Sequence, residues 1–322
     1  MEWTFSVCVV TSKTFSIYQI SGKNHFILVK QMNSERNLWN GVLLCIINIS
    51  LLICGITLNS VVILCIWRCS QLRKKLCYFT ILVLSCFDLA NLSVSHTLNT
   101  LSTVAYLLKR DNTANLDIAR MRLSMVCFGL STVSLLALNI ERFLAVVFPF
   151  FHQTEVKRSR LLVLTTFFGT LFVILAFFVR QHENSVRLIL IVYLSVYSFL
   201  LLLFNFKLYR IAHAKEELLR NTLRDVAKPS FKQINSQFNS LKKVSTCIIA
   251  VVCHLAFGEI PSLIYVLTIF VLDMPSEESR LFFTGIWISS FYAMNSTINC
   301  LIFFWKNSVL RKEGLKILRR LR

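Results

Sequence analysis

Residues 138–150 read LNIERFLAVVFPF and set a carboxylate and a guanidinium, Glu141 and Arg142, inside a long apolar run. Upstream, Ser124–Ile140 carries no charge at all. A run of at least 18 apolar residues is too long for a soluble core helix and long enough to cross a bilayer. Seven such runs recur, at about 40–67, 76–108, 121–150, 161–179, 185–206, 244–272 and 281–305. The second and third exceed the roughly 20 residues a crossing needs, so they tilt or protrude. Hydrophobic residues make up 55% of the chain and charged ones only 16%, with a mean hydropathy of +0.63. Hydrocarbon offers backbone groups no water, so runs of this kind are helices. The expected fold is an all-α membrane protein, a seven-transmembrane helix bundle with a short amphipathic C-terminal helix.

Orientation follows from the basic residues, because cytoplasmic loops retain positive charge. Of 35 Lys and Arg, 23 fall on one side: Arg68 to Lys75, Lys157 to Arg160, Lys207 to Lys243 and the tail from Lys306. The opposite side, with the N-terminal tail, has 11, and Arg142 lies within a run. The C-terminus is therefore expected inside and the N-terminus outside, as in a multi-pass protein of the plasma membrane. A basic face toward anionic membrane lipids explains the net charge of +19 without a nucleic-acid partner. Eleven cysteines do not make a disulfide framework here, since most lie inside the apolar runs and Cys8 is the one clearly outside. They read as buried small hydrophobes.

Three regions are expected: an extracellular tail over 1–39, a seven-helix bundle over 40–306, and an amphipathic helix plus short cytoplasmic tail over 307–322. The first 31 residues lack a signal peptide's basic start and cleavage site, and MNSERNLWN from Met32 makes an ordinary short outer tail. Translation from Met32 is the corresponding expectation. The inner segment 207–243 opens with helical periodicity (LYRIAHAKEELLRNTLRDVAK), so the fifth helix should extend into the cytosol and break near Pro229. NSVLRKEGLKILRRLR (307–322) mixes bulky apolar residues with basics, as an amphipathic helix on the inner leaflet does.

Polar residues at membrane depth are costly and mark functional candidates. Asn59, Asp88, Ser131, Glu141, Arg142, Glu259, Asn295, Ser296 and Asn299 all lie in apolar runs. Helical rise puts Asp88, Ser131, Asn295 and Asn299 at similar depth. Two readings stand: a site for a small monovalent cation or a proton, or a polar network that satisfies itself between helices.

In order and spacing these residues resemble the rhodopsin-like (class A) G-protein-coupled receptors. The family's Asp/Glu-Arg-Tyr motif appears as Glu141-Arg142-Phe143, followed by the loop residues Pro149 and Phe150. Asn59, Asp88 and Ser131 match the first-, second- and third-helix polar positions. The seventh-helix signature appears as Asn295-Ser296-Thr297-Ile298-Asn299-Cys300-Leu301-Ile302-Phe303. The resemblance covers roughly 41–322. It implies a receptor, not an enzyme, that binds an extracellular small molecule, lipid or peptide. Its partner would be a heterotrimeric G protein, engaged through Glu141, Arg142, Phe143, Val146, Pro149 and Phe150. It further implies a sodium ion at Asp88 and Ser131, joined by Asn59, Asn295, Ser296 and Asn299. An activation switch would comprise Glu259, Pro261 and Phe303, and a ligand pocket Ser124, Phe128, Glu259, Ser262 and Tyr292.

The departures narrow the expectation. Glu259 stands where the family has its toggle tryptophan, and Asp117 lies near the usual third-helix Cys. The fourth-helix Trp and fifth-helix Pro are missing, with Asn205 near the usual fifth-helix Tyr. A short second outer loop places the likeness nearest the melanocortin, lysophospholipid, cannabinoid and adenosine branch. Ser124 replaces the amine-binding Asp, and Ala293 replaces the retinal-bearing Lys, so neither an aminergic receptor nor an opsin is implied and no retinal is expected. Glu259 has three readings: a contact for a basic ligand group, a second acid for the cation site, or a protonated strut. Leu241, Lys242 and Lys243 stand where many relatives carry a restraining acid, which implies basal signalling. Rival classes are a transporter or an ion or proton pathway protein, and a non-signalling orphan receptor. Seven unlike runs lack the repeated halves of a transporter, and His254 stands alone as a metal-ligand candidate.

Overall fold

The structure is a computed structural model that describes residues 5–11, 14–20, 22–109, 114–178, 183–225, 245–246, 248–272 and 278–320. A two-stranded antiparallel hairpin comes first, β1 (Phe5–Thr11) against β2 (Thr14–Ile20), with Thr11 opposite Thr14. Both strands are rich in Val, Ile, Phe and Thr, which favour the pleated conformation over the helix. The described chain is otherwise helical, in line with the expected all-α class, and the hairpin lies within the region expected as a tail over 1–39. Helix α1 (Gly22–Arg68) begins well before residue 40, because nothing between Lys23 and Asn40 is Pro or Gly to stop it.

From Gly22 onward the described chain is helical apart from its connections. After α1 come α2 (Ser70–Lys74), α3 (Leu76–Leu107), α4 (Ala114–Val147), α5 (Pro149–Glu155), α6 (Arg158–Phe178) and α7 (Glu183–Asp225). Residues 248–254 run through a π-helical turn, Leu255–Glu259, into α8 (Ile260–Leu272). Helices α9 (Glu278–Lys306) and α10 (Ser308–Arg320) complete the order. The run expected over 121–150 ends early, at Val147. Pro149 has no N–H to give the preceding turn, so the chain bends at Phe148 and restarts with Pro149 as the first residue of α5. The expected helical extension of the fifth run beyond residue 206 is present, as the C-terminal part of α7. Its expected break near Pro229 lies outside the described residues, as do Leu241, Lys242 and Lys243.

Among the described residues, four helical segments are long and apolar enough to cross a membrane: Glu35–Arg68, Leu76–Leu107, Asn115–Val147 and Ile248–Tyr265. They mark the chain as a membrane protein. Its surface pattern agrees, with polar groups inside and apolar ones outside. Asn48, Asn59, Asp88, His96 and Asn99 are buried, while Ile46, Ile53, Val163, Phe167, Phe199 and Ile264 are exposed. Trp39 and Trp67, both largely exposed, lie about 42 Å apart along α1, the span between two membrane interfaces.

Helix α3 is central and packs against α1, α4 and α9; α4 also meets α6 and α7. Gly55 permits a close approach of three helices. A Cβ there would lie 2.6 Å from Leu92 Cδ1 and 2.7 Å from Thr297 Oγ1, so only glycine lets α1 lie against both α3 and α9. The main apolar core, with Val62, Cys65, Ile66, Leu84, Leu138 and Phe303, lies toward the Arg142 end of α4. Leu310 and Ile317 of α10 join it, while Val309 and Leu315 stay exposed. The nine cysteines with described side chains are unbridged.

Candidate functional site

Asp88, on α3, organises the polar layer. Its Oδ1 accepts hydrogen bonds from Ser131 Oγ of α4 and from Ser296 Oγ of α9 (2.8 Å). Its Oδ2 accepts a long one from Asn299 Nδ2 at 3.4 Å. Asn59 Nδ2 donates to its own helix at Gly55 O (3.0 Å) and across to Ser296 O (3.4 Å). Three of the six expected network residues, Ser131, Ser296 and Asn299, thus bond the buried carboxylate of a fourth, Asp88, and Asn59 joins through the backbone carbonyl of Ser296. The sixth, Asn295, turns away: its Nδ2 donates to His254 Nδ1 at 2.7 Å. The amide oxygens of Asn295 and Asn299 are buried without a hydrogen-bond partner. The carboxylate, two hydroxyls and the orphaned amide oxygen of Asn299 form an all-oxygen donor set, which suits a hard cation such as sodium. Among the described residues no group of three or more His, Cys, Asp or Glu gathers for a transition metal.

With Asn295 donating to Nδ1, the proton of His254 sits on Nε2, 3.3 Å from Glu259 Oε1. Both side chains are buried. In an α-helix, residues five apart point about 140° away from each other. The π turn cancels that offset. Pro261 has no N–H to donate, and the amide of Ile260 reaches back five residues to Leu255 O. His254 and Glu259 are thereby turned toward one another. Glu259 is therefore partnered by a histidine that the sequence left standing alone. Its other oxygen, Oε2, has no hydrogen-bond partner.

Of the expected pocket residues, Phe128 and Tyr292 lie with ring centroids 4.0 Å apart, and Phe128 stacks on His254 at 5.9 Å. Gly258 fits beneath them, its implied Cβ 3.3 Å from Tyr292. Ser262 Oγ bonds back to Gly258 O at 2.8 Å, and Ser124 Oγ is buried without a partner. Phe128, Tyr292, Glu259 and Ser262 form one cluster; Ser124, one helical turn from Phe128, makes no hydrogen bond to it. A second buried layer went unread in the sequence. His96 Nδ1 lies 2.6 Å from Asn48 Oδ1, and Ser290 Oγ donates to that same oxygen at 3.0 Å.

At the other end of α4, Glu141 Oε2 lies 3.1 Å from Arg142 Nε, and both residues are buried. Phe143 packs edge-on against Phe148 and Phe204, and Val146 and Ile248 both lie against Leu208. Pro149 and Phe150 are exposed, Phe150 at 85%. Glu141 Oε1 is 3.0 Å from Nε2 of His152 on α5, a partner eleven residues away that no helical spacing could have flagged. A cavity of about 500 Å³ opens beside Arg142, lined by Lys75, Tyr78, Phe303, Lys306 and Arg311 among others. Phe303 is buried in its wall. No known family model matches the chain, and no curated protein matches it.

Proposed function

We propose that the chain is a rhodopsin-like G-protein-coupled receptor of the plasma membrane, seven-spanning, with its N-terminus outside and its C-terminus inside. The observation that carries the reading is the Asp88 network. It ties Asn59, Ser131, Ser296 and Asn299 across α1, α3, α4 and α9 at the spacing the resemblance implies, with Glu141–Arg142 about two to three turns further along α4. In this reading an outer ligand reaches the cluster of Phe128, Tyr292, Glu259 and Ser262 and shifts an existing equilibrium between two bundle states. The helix that contains Pro261 swings at its π turn and widens the cavity beside Arg142, where a helix of the G protein docks. Sodium held by Asp88 and Ser131 favours the resting state. Residues 307–322 lie on the inner leaflet as the amphipathic helix.

A guanine-nucleotide exchange assay on reconstituted full-length protein with a panel of G proteins tests the proposal. Exchange above empty membranes in at least one member, lost in Arg142→Ala, is the expected result. A second reading, a proton pathway protein, draws on the buried Asn295–His254–Glu259 chain of hydrogen bonds. Proton flux into protein-loaded liposomes after an acid pulse, with no exchange activity, would favour it.

A further inference from the structure

We propose that the inner cavity beside Arg142 is a binding site for a polyphosphorylated headgroup, the chemistry of an inositol lipid or of its free headgroup. The inference rests on the reading that this end of the bundle faces the cytoplasm.

Among the described residues four cations line the cavity and no acidic residue does: Lys75 ahead of α3, Arg142 on α4, Lys306 at the end of α9 and Arg311 on α10. They come from four separate elements, so the charge is convergent and not a solvated run along one helix. Glu141 answers Arg142. Lys75, Lys306 and Arg311 have no carboxylate partner among the described residues. Lys306 instead lies 4.8 Å over the Trp305 ring, and Arg311 donates to Trp305 O at 2.8 Å. Like charges crowded around one hollow repel unless an anion sits between them. The volume of about 500 Å³ falls within the range of small-molecule sites, roughly 300–1,000 Å³.

The surroundings match a ligand carried by the membrane. Trp305, Val309 and Leu315, on and beside the same structural wall, are exposed at 67%, 46% and 48%. Apolar groups bordering a cationic hollow let acyl chains stay in the leaflet while the phosphates enter. Asn307 fixes the wall. Its Oδ1 accepts from the amides of Val309 and Leu310, both at 3.2 Å, and its Nδ2 donates to Tyr78 Oη at 3.0 Å. A bound headgroup and a docked G-protein helix would meet at Arg142, which makes the lipid a regulator of coupling.

The test uses full-length protein in phosphatidylcholine nanodiscs, with fluorescent phosphatidylinositol 4,5-bisphosphate as the probe and no G protein present. Saturable binding is expected, weakened about tenfold or more in Lys75→Gln/Lys306→Gln and retained in Lys75→Arg/Lys306→Arg. Lys312→Gln/Lys316→Gln, which removes the same charge outside the cavity, should leave binding within about twofold. Displacement by free inositol 1,4,5-trisphosphate assigns the site to the soluble headgroup as well; failure to displace assigns it to the lipid alone, and either supports the headgroup chemistry. Equal binding by the Gln double variant, or equal displacement by phosphatidylserine at matched charge, would overturn the proposal. Because the readout contains no G protein, an absence of nucleotide exchange would leave this result standing.

Discussion

Nε2 of His152 lies 3.0 Å from Oε1 of Glu141, while Oε2 of the same carboxylate faces Arg142 at 3.1 Å. Glu141 is thus shared between a permanent cation and a titratable group on the adjoining short helix. Burial, aided by the nearby Arg142 guanidinium, holds the His152 imidazole below its ordinary 6.5. At neutral pH it is a neutral donor to Glu141.

Acidifying the inner face should therefore change coupling. A histidine with a lowered folded value binds fewer protons folded than unfolded between that value and 6.5, so its contribution to stability falls as pH drops through that window. Once protonated, His152 competes with Arg142 for Glu141. Basal nucleotide exchange should rise as pH falls below 6.5 in the wild type. His152→Phe, which cannot titrate, should give a flatter profile. Identical profiles would remove His152 from the account.

The polar layer around Asp88 predicts a sodium effect. Asp88→Asn keeps the shape but removes the charge a cation needs. Replacing choline chloride by sodium chloride should raise the melting midpoint of wild-type protein by a few degrees, as a ligand bound only to the folded state does, and leave Asp88→Asn unmoved. Asp88→Ala should be worse than Asp88→Asn by about 1–3 kcal/mol, because the Ser131 and Ser296 hydroxyls lose their acceptor.

His254 and Glu259 should behave as a unit. His254→Phe leaves the buried Glu259 carboxyl without its hydrogen-bond donor and should cost about 1–3 kcal/mol, the usual penalty for a buried polar group left unsatisfied. Adding Glu259→Met should restore much of that loss, read from thermal unfolding in the same detergent. Additive losses would mean that the two side chains do not depend on each other.

Gly55→Ala should destabilise the contact of α1 with α3 and α9 by about 1–3 kcal/mol, since the added methyl meets Leu92 and the Thr297 hydroxyl. A control, Gly285→Ala, meets only Tyr265 Oη at 3.4 Å and should be nearly neutral.

Hydropathy alone located the helices, because length and apolarity are properties of single segments. Motif order then placed Asp88, Ser131, Ser296 and Asn299 on neighbouring helices. Partners that depend on a local break in helical geometry were not legible. The spacing of His254 and Glu259 is wrong for an α-helix and right only once Pro261 forces a π turn. His152 reaches Glu141 because Pro149 turns the chain, and the cavity cations come from four elements distant in sequence. Asn295 was assigned by motif to the Asp88 network, yet its amide is drawn to a histidine that no motif contains.

The most direct measurement is guanine-nucleotide exchange by reconstituted full-length protein over a G-protein panel, comparing wild type, Glu141→Gln and Arg142→Ala. The account predicts exchange above empty membranes for wild type. It predicts a rise of about fivefold for Glu141→Gln, in which Arg142 loses its carboxylate, and loss of exchange for Arg142→Ala. No exchange by any of the three proteins, with all three folded to the same melting midpoint, would contradict the receptor reading.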